Sequence, residues 1–102
     1  MAGKIKTRPF DPAAFLDSNE AIAAYLEEAL DIGDPAFIAD ALGVVARARG
    51  MSQIAKESGL GRESLYKALS SDGNPEFGTV LRVLKALGMR LSVAPVEAPQ
   101  GK

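Results

Sequence analysis

Met51-Ser-Gln-Ile-Ala-Lys-Glu-Ser-Gly-Leu-Gly-Arg-Glu-Ser-Leu-Tyr-Lys-Ala-Leu69 is the stretch that decides the fold. Counted from Met51, a small residue falls at the fifth place (Ala55) and glycine at the ninth (Gly59). Apolar residues take the fourth, tenth, fifteenth and eighteenth places: Ile54, Leu60, Leu65 and Ala68. The spacing predicts two short helices, over residues 52–58 and 62–70, with only Gly59-Leu60-Gly61 between them. Each constrained place has a steric reason. Ala55 is small because the second helix crosses the first there, and Gly59 reverses the chain with positive φ at no Cβ cost. Leu65 and its apolar companions hold the pair onto the rest of the core. Helices this short do not persist by propensity alone, so the pair implies a surrounding scaffold. The pattern is that of a helix-turn-helix, and an ordinary pair of short helices in an all-α domain is the plainer alternative.

Working outward, helical signals continue on both sides. Asp17-Ser18-Asn19 precedes a helix running to about Asp31, with Glu20 three places after Asp17 in capping-box spacing; Ile22, Tyr25, Leu26, Ala29 and Leu30 form its apolar stripe. A second helix starts at Asp34 as cap with Pro35 at its first position, carries the stripe Ile38, Ala41, Leu42, Val45 and Ala48, and stops at Gly50. After the turn formers Ser71-Asp72-Gly73-Asn74-Pro75, a fifth helix over 76–87 is expected to bury Phe77, Val80, Leu81, Leu84 and Leu87. Met89, Leu91 and Val93 then alternate with Arg90, Ser92 and Ala94, which reads as one short C-terminal β-strand. A lone strand needs a partner: residues 4–8, the same strand of a second subunit, or a strand of a bound protein. The expected fold is therefore all-α, five helices with a short terminal strand. Its organisation is an N-terminal arm (1–16), one helix-turn-helix domain (17–94, motif 51–70) and a flexible tail (95–102).

Composition narrows the function classes. The chain has 102 residues, 47% hydrophobic and 25% charged, which suits one soluble domain with one core. It contains neither cysteine nor histidine. That removes the commonest general base, the commonest metal ligand and the most readily activated nucleophile. No phosphate-binding loop or nucleophile elbow is present either, so no enzyme, no metal and no cofactor is expected. No long apolar run or secretory signal stands out, which makes the cytoplasm the expected compartment and a membrane partner unexpected.

Net charge is only −1, but its distribution is uneven. Residues 11–40 hold eight acids and no base, whereas residues 41–102 hold nine bases and five acids. Such asymmetry suggests different partners for the two sections. In a helix-turn-helix the second helix lies in the DNA major groove. Arg62, Glu63, Tyr66 and Lys67 would then point outward, opposite Leu65, Ala68 and Leu69. Arg62 can pair bidentately with guanine, Glu63 can accept from cytosine, and Lys67 suits a phosphate or a guanine. Tyr66 can stack on a sugar or touch a thymine methyl. Ser52, Gln53 and Ser70 are candidate phosphate contacts, though such residues also serve as caps and turn formers. Each charge, taken singly, is equally a solvated surface group.

The run from Met51 to Leu87 with Arg90-Leu-Ser-Val93 resembles the Cro/repressor-type (XRE) helix-turn-helix domain. More narrowly, the chain resembles the addiction-module antidotes of the HigA-like kind. That narrower resemblance rests on Thr7-Arg-Pro-Phe-Asp11, Ala21-Ile-Ala-Ala-Tyr-Leu26, Ala46-Arg-Ala-Arg-Gly-Met-Ser52, Ser64-Leu-Tyr-Lys-Ala-Leu-Ser70 and Gly73-Asn-Pro-Glu-Phe-Gly-Thr79. One place departs. Many domains of this class begin the motif with a glutamine that braces a phosphate contact, and this chain has Met51. The resemblance implies an antitoxin that binds double-stranded operator DNA as a homodimer and autorepressor. It also implies neutralisation of a RelE-like toxin, a ribonuclease acting at the ribosome. An RNA-cleaving toxin must be basic, so Glu27, Glu28 and Asp31 are candidate toxin contacts. Two other readings remain open at this point: a free-standing transcriptional regulator, and an interaction module that has lost DNA binding.

Overall fold

The structure, a computed structural model, describes residues 16–96. Five α-helices make up its regular secondary structure among those residues: α1 (Asn19–Ile32), α2 (Pro35–Arg49), α3 (Met51–Ser58), α4 (Arg62–Ala68) and α5 (Phe77–Ala86). The all-α expectation holds. The N-terminal arm, including residues 4–8 and the Thr7 to Asp11 stretch, lies outside the described residues, as do residues 97–102 of the tail.

Local chemistry accounts for most boundaries. α1 is capped by Ser18, whose hydroxyl accepts from the Ala21 backbone N–H at 3.1 Å. The capping-box spacing assigns that role to Asp17, but it is Ser18, one residue further on, that occupies the extended conformation from which a side chain can reach the third amide of the helix. Pro35 opens α2 as anticipated, although the Asp34 side chain makes no capping bond. Gly50 closes α2 and opens α3, so the two helices run into each other with no connecting loop. Gly59 holds φ at +76° at the end of α3, and its N–H and that of Leu60 both donate to the Ala55 carbonyl. This left-handed residue lets the chain reverse within three residues.

The core joins all five helices: Ile22, Leu26 and Ala29 of α1, Leu42, Val45 and Ala46 of α2, Met51, Ile54 and Ala55 of α3, Leu65 and Leu69 at α4, and Val83, Leu84 and Leu87 at α5. α2 packs on α1, α3 and α4, while α3 packs on α2, α4 and α5. The short α3 is thus the centre of the bundle and α4 its outer member. Gly43 of α2 makes this possible. An ideal Cβ built there would lie 2.1 Å from the Leu69 carbonyl oxygen, so the backbone that ends α4 sits directly on α2. Tyr25 is half-buried beside the core; burial first, then the nearby Asp40, raises its hydroxyl pKa above the usual value, with Arg47 opposing.

Four expectations need correction. On α2, Ala46 is buried and Ala48 exposed, because the stripe that faces α3 runs Leu42, Val45, Ala46. On α1, Leu30 lies partly in the open, at the edge of the stripe. On α5 the buried set is Val83, Leu84 and Leu87, whereas Phe77 is 66% exposed and Leu81 42%. Phe77 is the first residue of that helix and overhangs the end of the core. The C-terminal strand is likewise absent: residues 89–96 carry no strand, and Val93 stands 98% exposed. An alternating segment becomes a strand only when a neighbour completes its hydrogen-bond ladder, and no such neighbour occurs among the described residues of one chain.

Candidate functional site

α4 is seven residues long and fastened from below. Leu65 and Leu69 are buried, four residues apart on one face, and the Ser70 hydroxyl donates to the Lys67 carbonyl at 3.0 Å to close the last turn. Arg62, Glu63, Tyr66 and Lys67 are all exposed on the remaining faces. The arrangement brings the four sequence-selected side chains of the second helix onto one solvent-facing surface. Ala68 is half-buried behind them.

One feature of this surface escaped the sequence reading. The Arg62 guanidinium lies over the Tyr66 ring, 5.6 Å from its centroid. The signal was available, since an arginine and a tyrosine four apart on a helix are neighbours. Such a contact is worth roughly 0.5–1 kcal/mol at an exposed site. Its larger consequence is geometric: a guanidinium held over a ring samples fewer orientations than a free one.

α3 contributes Ser52 and Gln53, both exposed in its first turn. Gln53 donates from Nε2 to the Glu57 carboxylate at 2.6 Å, a contact along the helix that takes up one of its two amide hydrogens. Met51 is buried in the core, which accounts for a methionine at the place where the resemblance anticipated glutamine. Ala55 is buried in the α3 core face, and Gly59 is left-handed in the turn.

The acidic helix forms a separate surface. Glu27, Glu28 and Asp31 are exposed along α1, and Glu28 and Asp31 line a shallow depression with Ile32. At the other end of α1, Asn19 accepts from Arg49, which ties the start of α1 to the end of α2. No helix among the described residues is long and apolar enough to cross a membrane.

Residues 6–95 match the model of a family described as "probable addiction module antidote protein". An uncharacterised protein of Haemophilus influenzae is 51% identical over 86 residues, covering 84% of this chain and 89% of its own length. No solved structure matches the chain.

Proposed function

The chain belongs to the family of probable addiction module antidote proteins, and from that premise we propose that it both represses its own module and restrains the module's toxin. In this reading α4 enters the major groove of operator DNA, and the acidic α1 covers a basic, RelE-like ribonuclease toxin. The chain acts by binding and carries out no catalysis. Two copies would engage two half-sites spaced by roughly one helical turn.

The observation that carries the DNA reading is the exposed face of α4: Arg62, Glu63, Tyr66 and Lys67 together on a helix whose opposite side is sunk in the core. Rigid support of this kind is what base reading requires, because a bidentate pair with guanine tolerates little misalignment. Stacking of Arg62 on Tyr66 favours that role. Lys67, one turn later, suits a phosphate as a point charge, and Ser52 and the remaining amide hydrogen of Gln53 are further donors for the backbone, whereas the Ser70 hydroxyl would have to leave the Lys67 carbonyl to join them. The toxin reading is supported by the run of eight acids without a base over residues 11–40. An inhibitor of an RNA-binding protein gains encounter rate from such a field.

The reading expects a small basic protein to be encoded beside this chain's gene, and the test is co-expression with that protein, with growth and promoter activity followed together. Growth should be rescued by the parent and equally by Arg62→Ala, while repression of the module's promoter should be lost in Arg62→Ala alone. Full repression by Arg62→Ala, or a failure of the parent to rescue growth, would contradict the DNA half or the toxin half respectively.

A further inference from the structure

The end of α4 is gripped by two glycines. An ideal Cβ at Gly73 would lie 2.1 Å from the Ala68 carbonyl oxygen and 2.6 Å from that of Lys67, and one at Gly43 of α2 would lie 2.1 Å from the Leu69 carbonyl oxygen. Three successive carbonyls that finish the helix thus meet glycine backbone, two from the following loop and one from α2. The Gly73 N–H also donates to the Ser70 carbonyl at 2.9 Å. Positive φ belongs to Gly33, Gly50, Gly59 and Gly88 and not to Gly73. Any residue could therefore adopt its backbone, and only the lack of space excludes a side chain.

Little else fixes the tilt of α4. Its seven residues span about 10 Å, its first turn has no side-chain cap, and it packs mainly on α2 and α3. The loop is better supported: Asn74 and Pro75 line an apolar groove beside α1, together with Leu42 of α2 and Leu84 of α5, so the chain runs from α4 back onto the body of the domain. A Cβ at Gly73 would have to go from 2.1 Å to ordinary contact at 3.4 Å or beyond, and the outer helix is what gives way. That displacement exceeds the roughly 0.5 Å within which a binding constellation must be held. Base reading by a planar guanidinium fails at such a shift, whereas a flexible lysine still follows a phosphate.

We infer that Gly73 is a positioning residue for base reading: acting through the end of α4, it sets with Gly43 the tilt at which Arg62 and Tyr66 are presented, and hence the preference for operator over other DNA. The inference rests on the reading that α4 enters the major groove. It assigns specificity in part to a residue whose only visible sequence role is that of a turn former.

The experiment titrates the full chain and Gly73→Ala with a duplex carrying the promoter upstream of the chain's own gene and with random DNA of equal length, across salt. Circular dichroism fixes an assay temperature at which each variant is folded. Gly33→Ala serves as control, since at φ +81° it strains the junction of α1 and α2 and has only the Leu30 carbonyl oxygen within 4 Å. Gly73→Ala should weaken promoter binding roughly tenfold or more, as loss of a base contact does, and leave affinity for random DNA and its salt slope within about twofold of the parent's. Gly33→Ala should keep the parent's preference. Gly43→Ala presses on the same helix end from α2, should lose preference as Gly73→Ala does, and decides the matter if Gly73→Ala does not fold. Full promoter preference in the folded variant would overturn the inference, as would an equal loss on both DNAs or an equal loss of preference in Gly33→Ala. A parent protein with no preference for the promoter would overturn the reading of DNA by α4 itself, and the role of Gly73 with it.

Discussion

Gly43 shows how much one hydrogen atom decides in this chain. In an exposed helix, replacing glycine by alanine stabilises by about 1 kcal/mol, because alanine loses less conformational freedom on folding. Here the added methyl would stand 2.1 Å from the Leu69 carbonyl oxygen and 3.1 Å from its carbon, both backbone atoms that cannot step aside. The sign should therefore reverse: Gly43→Ala is expected to cost about 1–3 kcal/mol, as overpacking does, read from the urea midpoint. A midpoint equal to or above the parent's would mean that α2 and the end of α4 are not in backbone contact. Nothing in the sequence marks Gly43 for this role, since a glycine inside a helical pattern is legible only as a mild weakness. Ser18 offers a second residue-scale check. Its hydroxyl caps α1, so Ser18→Ala should destabilise by about 1 kcal/mol, whereas Asp17→Ala should stay near the parent in the same thermal or urea melt. The reverse order would restore the capping box built on Asp17 and Glu20.

At the scale of elements, legibility followed the number of independent signals. α2 was readable because a proline opens it and a glycine closes it, and α3 and α4 because Ala55, Gly59 and Leu65 are each sterically required. α5 had periodicity alone. An apolar stripe of Phe77, Val80, Leu81, Leu84 and Leu87 gives the helix but not its rotation, and α3 draws in Val83 and leaves Phe77 and Leu81 outside. Alternation at residues 89–94 likewise specifies a side-chain pattern without supplying the partner a strand needs. On α4 the exposed face was legible and the stacking of Arg62 on Tyr66 was not, because helical spacing permits that contact without requiring it. The proposed roles on this face predict unlike failures. Arg62→Ala should cost about 1–3 kcal/mol on the operator and relax preference at one base pair, while Lys67→Ala should weaken every sequence alike and lower the salt slope by about 1. Competition titrations against single-base operator variants separate the two. Identical behaviour of both variants would remove the distinction between base reader and phosphate anchor.

Over the whole molecule, charge and shape divide the labour. α3 ties α2, α4 and α5 into one body, so the surface of α4 and the surface of α1 are held on a common core. The division of charge was visible in the sequence, where residues 11–40 and 41–102 have opposite balances. The groove beside α1 was not, since it depends on Phe77 and Leu91 coming back from the far end of the chain to meet Leu26 and Leu30. The proposed account gives each surface one partner, operator DNA for α4 and the toxin for α1. That account stands or falls on DNA reading by α4, and the direct measurement is the affinity of the parent protein for the promoter upstream of its own gene against random DNA of equal length, titrated across salt. The account predicts tighter binding to the promoter by roughly a thousandfold or more at physiological salt, with both affinities falling as salt rises. Equal affinity for the two DNAs at every salt concentration would contradict it and leave α3 and α4 a packing device alone.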